Sequence, residues 1–153
     1  MKKNNKNWNV CAELLNKIAK NAEWDKAKIG RYNVMIETVT DRVKKTTEEN
    51  GFNTPKQYEM FTDFYGTLYG RLYNKLEKYW LNGRLTDGEF MSDDSFMDFL
   101  EEILGHGYDA YCEIMEDWTV AKKYVDIYVE NFGYCLQFMY KHKMIEDREI
   151  LVD

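Results

Sequence analysis

The chain has 153 residues, of which 44% are hydrophobic, 16% aromatic and 31% charged, with a formal net charge of −6. That length suits one domain closing its own core without staples, and so high an aromatic share excludes a disordered chain. Nine glycines and a single proline, Pro55, are too few for the many turns of a sandwich or barrel. The composition therefore predicts an all-α fold: a single compact domain of five to six helices over 7–153, preceded by a basic flexible tail at 1–6.

The three cysteines are Cys11, Cys112 and Cys135. An odd number, widely spaced and without a CxxC pair, argues against a disulfide framework or a zinc cage. It predicts buried free thiols in a reducing, cytoplasmic setting. The opening MKKNNKNWNVCAE is basic but has no apolar run behind it, so no signal peptide is expected. No stretch approaches the roughly 18 apolar residues that a membrane span needs. Abundant Asn and Tyr, and Lys in preference to Arg, fit an AT-rich coding sequence of the kind carried by low-GC bacteria and their mobile elements.

In chain order, Trp8, Cys11, Leu15, Ile18 and Ala22 recur at helical spacing and predict a first helix from Asn7 or Trp8 to about Trp24. Ile29, Tyr32, Ile36, Val39 and Val43 predict a second from about Lys26 to Asn50, stopped by Gly51. Thr54 as N-cap and Pro55 in the first turn open a third, central helix at about 55–81, ended by Gly83. At 1.5 Å per residue it is roughly 40 Å long. One stripe on it runs through Tyr58, Phe61, Tyr65, Leu68, Leu72, Leu76 and Tyr79, and another holds Phe64, Tyr69, Tyr73 and Trp80. A helix apolar on two sides packs against several neighbours. Gly66 and Gly70, one turn apart within it, read as a close helix contact, since glycine weakens a helix interior.

A loop over 82–95 follows, with Asp94 or Ser95 expected to cap a fourth helix that buries Phe96, Phe99, Leu100 and Ile103 and ends at Leu104. Beyond the Gly105-His106-Gly107 break, a fifth helix runs from Tyr108 to about Asp117 with Tyr108, Tyr111, Cys112, Met115 and Trp118 inward. A sixth runs from Thr119 to about His142, with Val120, Tyr124, Ile127, Tyr128, Phe132, Cys135 and Met139 as its stripe. The closing EDREILVD has no clear assignment.

Charge is the one strong local signal. Met1 to Lys56 carries twelve Lys/Arg against seven Asp/Glu, and the remainder nine against twenty. The segment 85–118 holds Asp87, Glu89, Asp93, Asp94, Asp98, Glu101, Glu102, Asp109, Glu113, Glu116 and Asp117, with no Lys or Arg. Helical spacing places these acids on outward faces, opposite Phe96, Phe99 and Ile103 in one helix and Tyr108, Tyr111 and Met115 in the next. Like-charge pairs at i,i+4 cost about 0.2–0.5 kcal/mol each, so local helix stability alone does not choose this pattern.

Three readings compete for the acidic segment. The plainest is a solvated face that keeps an aromatic-rich protein soluble. The second is a docking surface for a basic partner, including a nucleic-acid-processing protein whose phosphate groove the carboxylates would occupy, with Phe90, Tyr108 and Trp118 as aromatic anchors. The third is a carboxylate site for Ca²⁺ or Mg²⁺ built on Asp87, Glu89, Asp93 and Asp94, although the order of an EF-hand loop is absent.

Catalytic constellations are missing from the sequence. His106 and His142 are the only histidines. Cys112 is close to His106, but the acids around it disfavour a thiolate. No phosphate loop, nucleotide fingerprint, nucleophile elbow or HExxH is present. Glu102 and His106 are four residues apart and not the three of a di-iron helix. The expectation is a non-enzymatic binding protein with no cofactor, metal or membrane association, engaging a basic surface through 85–118. The alternatives are a nucleic-acid binder using Lys2, Lys3, Lys6, Lys17, Lys20, Lys26, Lys28 and Arg31, and a carboxylate metal enzyme. The aromatic content also admits a homodimer through an aromatic face.

Overall fold

The structure is a computed structural model that describes residues 6–22 and 32–125, the side chains of 32–39 excepted. Residues 1–5 of the tail expected at 1–6, the end of the first helix, the start of the second, Cys135 and everything assigned beyond 125 lie outside the described residues, while Lys6 is already in the first helix. Within them the chain is an all-α, compact domain of six helices: α1 (Lys6–Asn21), α2 (Tyr32–Glu49), α3 (Pro55–Leu81), α4 (Asp93–Gly105), α5 (Tyr108–Glu116) and a 3₁₀ helix (Trp118–Tyr124).

The start of α3 follows from three side chains, those of Thr54, Pro55 and Gln57. Thr54 Oγ1 accepts from the Gln57 backbone N–H at 3.2 Å, while Gln57 Oε1 accepts the Thr54 N–H at 3.1 Å. Pro55 fills the first turn, where its missing N–H costs nothing. At the other end Gly83 takes φ +77 and closes the turn. Tyr58, Phe61, Phe64, Leu68, Leu72 and Leu76 are buried. Tyr65, Tyr69, Tyr73, Tyr79 and Trp80 are partly buried against the same core, so α3 has the expected apolar flanks on two sides.

The centre of the domain is shared between α3 and α1. α1 packs against all four other α-helices, and α3 packs against α1, α4 and α5. Cys11, Leu14, Leu15 and Ile18 give α1 its buried stripe. Where α1 passes the start of α5, Gly107 stands at φ +106, and a Cβ there would lie 2.8 Å from Asn16 Oδ1. Asn16 holds the joint by accepting the Asp109 backbone N–H at 3.1 Å.

Several local expectations are corrected. Ser92, and neither Asp94 nor Ser95, caps α4, accepting the Ser95 N–H at 3.1 Å. A Cβ on Gly66 or Gly70 would meet nothing within 4 Å among the described residues, so none of the described helices is drawn close there. In α5 the fully buried residues are Ala110, Tyr111 and Ile114, with Tyr108, Cys112 and Met115 only partly covered.

The described start of the expected sixth helix is 3₁₀, with Val120 N–H bonding to Asp117 C=O and Val125 N–H to Lys122 C=O. Three residues per turn puts Trp118, Ala121 and Tyr124 on one face. Ala121 and Tyr124 are buried there, while Trp118 stacks on Tyr79.

Candidate functional site

The fold divides the eleven acidic residues of 85–118 into groups with different surroundings. Glu102 leaves the surface set altogether. It is 1% exposed, and neither carboxylate oxygen accepts a hydrogen bond among the described residues. Its neighbour is His106 Nε2 at 3.5 Å, and the imidazole also meets the Tyr124 ring at 5.0 Å. α4 packs against α1, α3, α5 and the 3₁₀ helix. A helix enclosed on so many sides has only a narrow outward face, which is why the outward placement expected for Glu102 fails.

Asp98 and Glu101 lie at the edge of that face and are half-buried. Burial, reinforced by the Asp98 charge, pushes the Glu101 carboxyl up to about 7. The tyrosine flank of α3 faces it. Burial and then the Glu101 charge hold the Tyr65 hydroxyl well above its usual range and raise Tyr69 to about 12.

On α5, Asp109 is exposed but bound to α1, its Oδ1 accepting from Asn16 Nδ2 at 3.3 Å. Glu113 lies 4.0 Å from Lys123 Nζ, and Glu116 is exposed. Asp117 is the N-cap of the 3₁₀ helix, accepting from Thr119 N–H at 3.1 Å and Thr119 Oγ1 at 2.6 Å. Those bonds hold its carboxyl below the usual range.

The loop and the first turn of α4 carry the remaining four acids. Asp87, at φ +52, pairs with Lys122 Nζ at 2.7 Å. Glu89, Asp93 and Asp94 are exposed and form no ion pair among the described residues. Asp93 and Asp94 occupy the first turn of α4, where the helix dipole favours them. Between them and Glu89 in sequence, Phe90 is 92% exposed. The Trp80 indole N–H bonds to the Met91 carbonyl at 2.7 Å, and the indole stacks on Phe96 with centroids 4.4 Å apart. The loop is therefore pinned at Met91 while the ring before it points into solvent. Tyr108 and Trp118, the other two expected anchors, are engaged inside the fold: Tyr108 Oη accepts from the Trp8 indole N–H, and Trp118 stacks on Tyr79 at 3.8 Å.

A row of cations escaped sequence reasoning because Glu77 and the abundant acids dilute it. Arg71, Lys75 and Lys78 fall on one side of α3 by their spacing of four and three. Arg71 lies 5.1 Å from the Trp8 ring centroid and Lys78 5.0 Å from that of Tyr79. In the turn that follows, the Arg84 guanidinium is 5.6 Å from Tyr79 and 5.3 Å from Trp118. The spacing was visible; the aromatic rings that α1 and the 3₁₀ helix bring to it were not. Of the basic N-terminal residues, Lys17 is tied to Glu13 and to Asn50 Oδ1.

Among the described residues no three His, Cys, Asp or Glu gather as a metal site, so Asp87, Glu89, Asp93 and Asp94 do not form a ligand set there. Burial raises the Cys11 thiol to about 11 and raises Cys112 as well, with Asp109 and Glu116 adding to it. Neither is poised as a nucleophile. Asn7, Trp8, Cys11, Met60, Asp63, Phe64 and Thr67 line an open recess of about 230 Å³ between α1 and α3. No described helix is long and apolar enough to cross a membrane. No family model, curated protein or solved structure matches the chain.

Proposed function

We propose that this is a non-enzymatic binding protein whose acidic loop and α4 start engage a basic surface on another protein, with Phe90 as the anchor. The observation that carries the reading is Phe90 itself, 92% exposed beside the exposed carboxylates of Glu89, Asp93 and Asp94. A fully solvated aromatic ring does nothing for the fold. Placed in a partner's apolar pocket it becomes the kind of central anchor that dominates binding energy, while surrounding charges set orientation and association rate. Glu113 and Glu116 on α5 extend the acidic surface, and Glu102 has no part in it. The partner class that fits is a protein with a basic, phosphate-binding groove, such as a nucleic-acid-processing protein. Occupying that groove would block it.

Two variants test the reading. Glu89, Asp93 and Asp94 changed together to Lys reverse the charge, and Phe90→Ala removes the anchor. Both sets of residues are exposed, so circular dichroism should show the fold retained. Affinity capture compared with the wild-type chain should lose the same partner in both variants. A partner held equally well by both would reduce the segment to a solubilising face and end the proposal.

A further inference from the structure

The cations of α3 and the recess between α1 and α3 form one continuous strip. Met60, Phe64, Thr67, Arg71, Lys75 and Lys78 step by four and three and so lie along one face of the helix. Trp8 joins the two parts: it lines the recess of about 230 Å³, and Arg71 lies 5.1 Å from its ring centroid. Further along, Lys78 rests on Tyr79, Tyr79 stacks on Trp118, and Arg84 lies 5.6 Å and 5.3 Å from those two rings. The turn after α3 thus adds a fourth cation at the same end of the strip. None of Arg71, Lys75, Lys78 and Arg84 forms an ion pair among the described residues. Acids flank the row rather than interrupt it. Asp117 is near Lys75, but Thr119 already occupies its carboxylate, and Glu77 faces Tyr73 on the far side.

We propose that this strip binds a single strand of nucleic acid, its phosphates on Arg71, Lys75, Lys78 and Arg84 and one base in the recess. The helical rise sets Arg71, Lys75 and Lys78 about 6 Å and 4.5 Å apart along the axis, so each long side chain can meet a different phosphate of an extended strand. Arg71 and Arg84 already lie against aromatic rings, so a phosphate contact costs them less side-chain freedom than a loose arginine would lose. The row is one residue wide with an acid on each flank, which suits one strand and repels the second strand of a duplex. The recess favours a nucleic acid over an acidic peptide. Its walls include the apolar Trp8, Met60 and Phe64, and its polar groups include Asp63 and Thr67. A flat ring with a polar edge matches such walls, and a peptide carboxylate does not. Asp63 repels phosphate but accepts from the exocyclic amine of cytosine, and in the same place it would face the carbonyl of thymine. The strip shares no residue with the acidic loop and does not rest on the reading of that loop.

Fluorescence anisotropy with a labelled strand of twelve deoxycytidines tests the contact. The wild-type chain should bind it at low salt, with log affinity falling against log salt at a slope of about −2.8, since each of four phosphate contacts on a single strand contributes about −0.7. Arg71→Ala with Lys78→Ala should weaken binding by about ten-fold or more at low salt and bring the slope to about −1.4. Arg71→Lys with Lys78→Arg keeps both charges and should bind as the wild type does. A strand of twelve thymidines should bind several-fold more weakly than the cytidine strand. Asp63→Leu should abolish that preference, whatever it does to the affinity for both. A ribocytidine strand run in parallel distinguishes RNA from DNA as the source of the strand. Absence of binding by the wild-type chain overturns the proposal. So does a slope that the alanine variant leaves unchanged, or a cytosine preference that is missing or survives Asp63→Leu. A duplex of the same length, or a polyglutamate peptide, that competes as well as the strand overturns it too.

Discussion

Gly107 and Asn16 meet so closely that no side chain other than hydrogen fits between them. The glycine stands at φ +106, ψ 170, a region that other residues hardly visit, and its missing Cβ would lie 2.8 Å from Asn16 Oδ1 and 3.2 Å from the Ala19 Cβ. Gly107→Ala should therefore cost about 2–4 kcal/mol, from backbone strain and overpacking together. In urea denaturation the midpoint should fall with the slope unchanged. A variant as stable as the wild type would mean that α1 and α5 are not pressed together here.

Gly66 should behave in the opposite way. It is exposed in the middle of α3, and a Cβ there would meet nothing within 4 Å among the described residues. Gly66→Ala should stabilise the protein by about 0.4–1 kcal/mol, because alanine loses less backbone entropy on folding. A small rise in thermal midpoint is the expected result, and a fall would restore the close helix contact suggested by Gly66 and Gly70 in the sequence.

Those glycines mark where sequence reasoning reached and where it stopped. The bounds of α3 were legible, since Thr54, Pro55 and Gly83 act through backbone rules that need no neighbour. The purpose of Gly66 and Gly70 was not, because a packing glycine and an idle one look alike until the facing element is placed. Glu102 failed for a related reason. Charge predicts exposure only where a helix has a free side, and four elements surround α4. The acidic segment was legible as composition. That Phe90 is its bare aromatic, while Tyr108 and Trp118 are engaged inside, depended on partners distant in sequence.

The buried Glu102–His106 pair should respond unequally to the loss of each member. Removing His106 leaves the buried Glu102 carboxyl without a facing polar group among the described residues, and breaking a buried pair in this way costs about 3–5 kcal/mol. Replacing Glu102 with Leu removes the buried polar group itself and should cost clearly less. Equilibrium unfolding of His106→Ala and Glu102→Leu should show that order. Equal losses would mean that His106 contributes through packing on Tyr124 rather than as the ionic partner.

Glu101 should make stability fall as the pH rises. Its carboxyl ordinarily titrates at 4.5 and is pushed up to about 7 in the fold, mainly by burial and secondarily by Asp98. Between those values the folded chain holds a proton that the unfolded chain has released. By linkage, stability then declines with rising pH across that window, and the loss is complete above it. Glu101→Gln removes the titration. The variant should gain on the wild type between pH 4 and pH 8, and a difference that stays constant with pH would place the carboxyl in ordinary solvent.

Phe90 and Phe96, six residues apart, should separate binding from folding. Phe96 is fully buried, stacked on Trp80 at 4.4 Å and meeting Tyr73 at 5.5 Å. Phe96→Ala opens a cavity under α3 and α4 and should cost about 3–5 kcal/mol. Phe90 is 92% exposed, and truncating a solvated side chain changes stability by no more than about 0.5 kcal/mol. Phe90→Ala should therefore unfold at the wild-type denaturant concentration yet lose partner capture. If it instead unfolds markedly earlier, the ring packs on the fold in solution and its place as a solvent-facing anchor is lost. If it unfolds normally and still captures the partner, the anchor lies elsewhere on the acidic surface, and Glu113 and Glu116 of α5 become the residues to change.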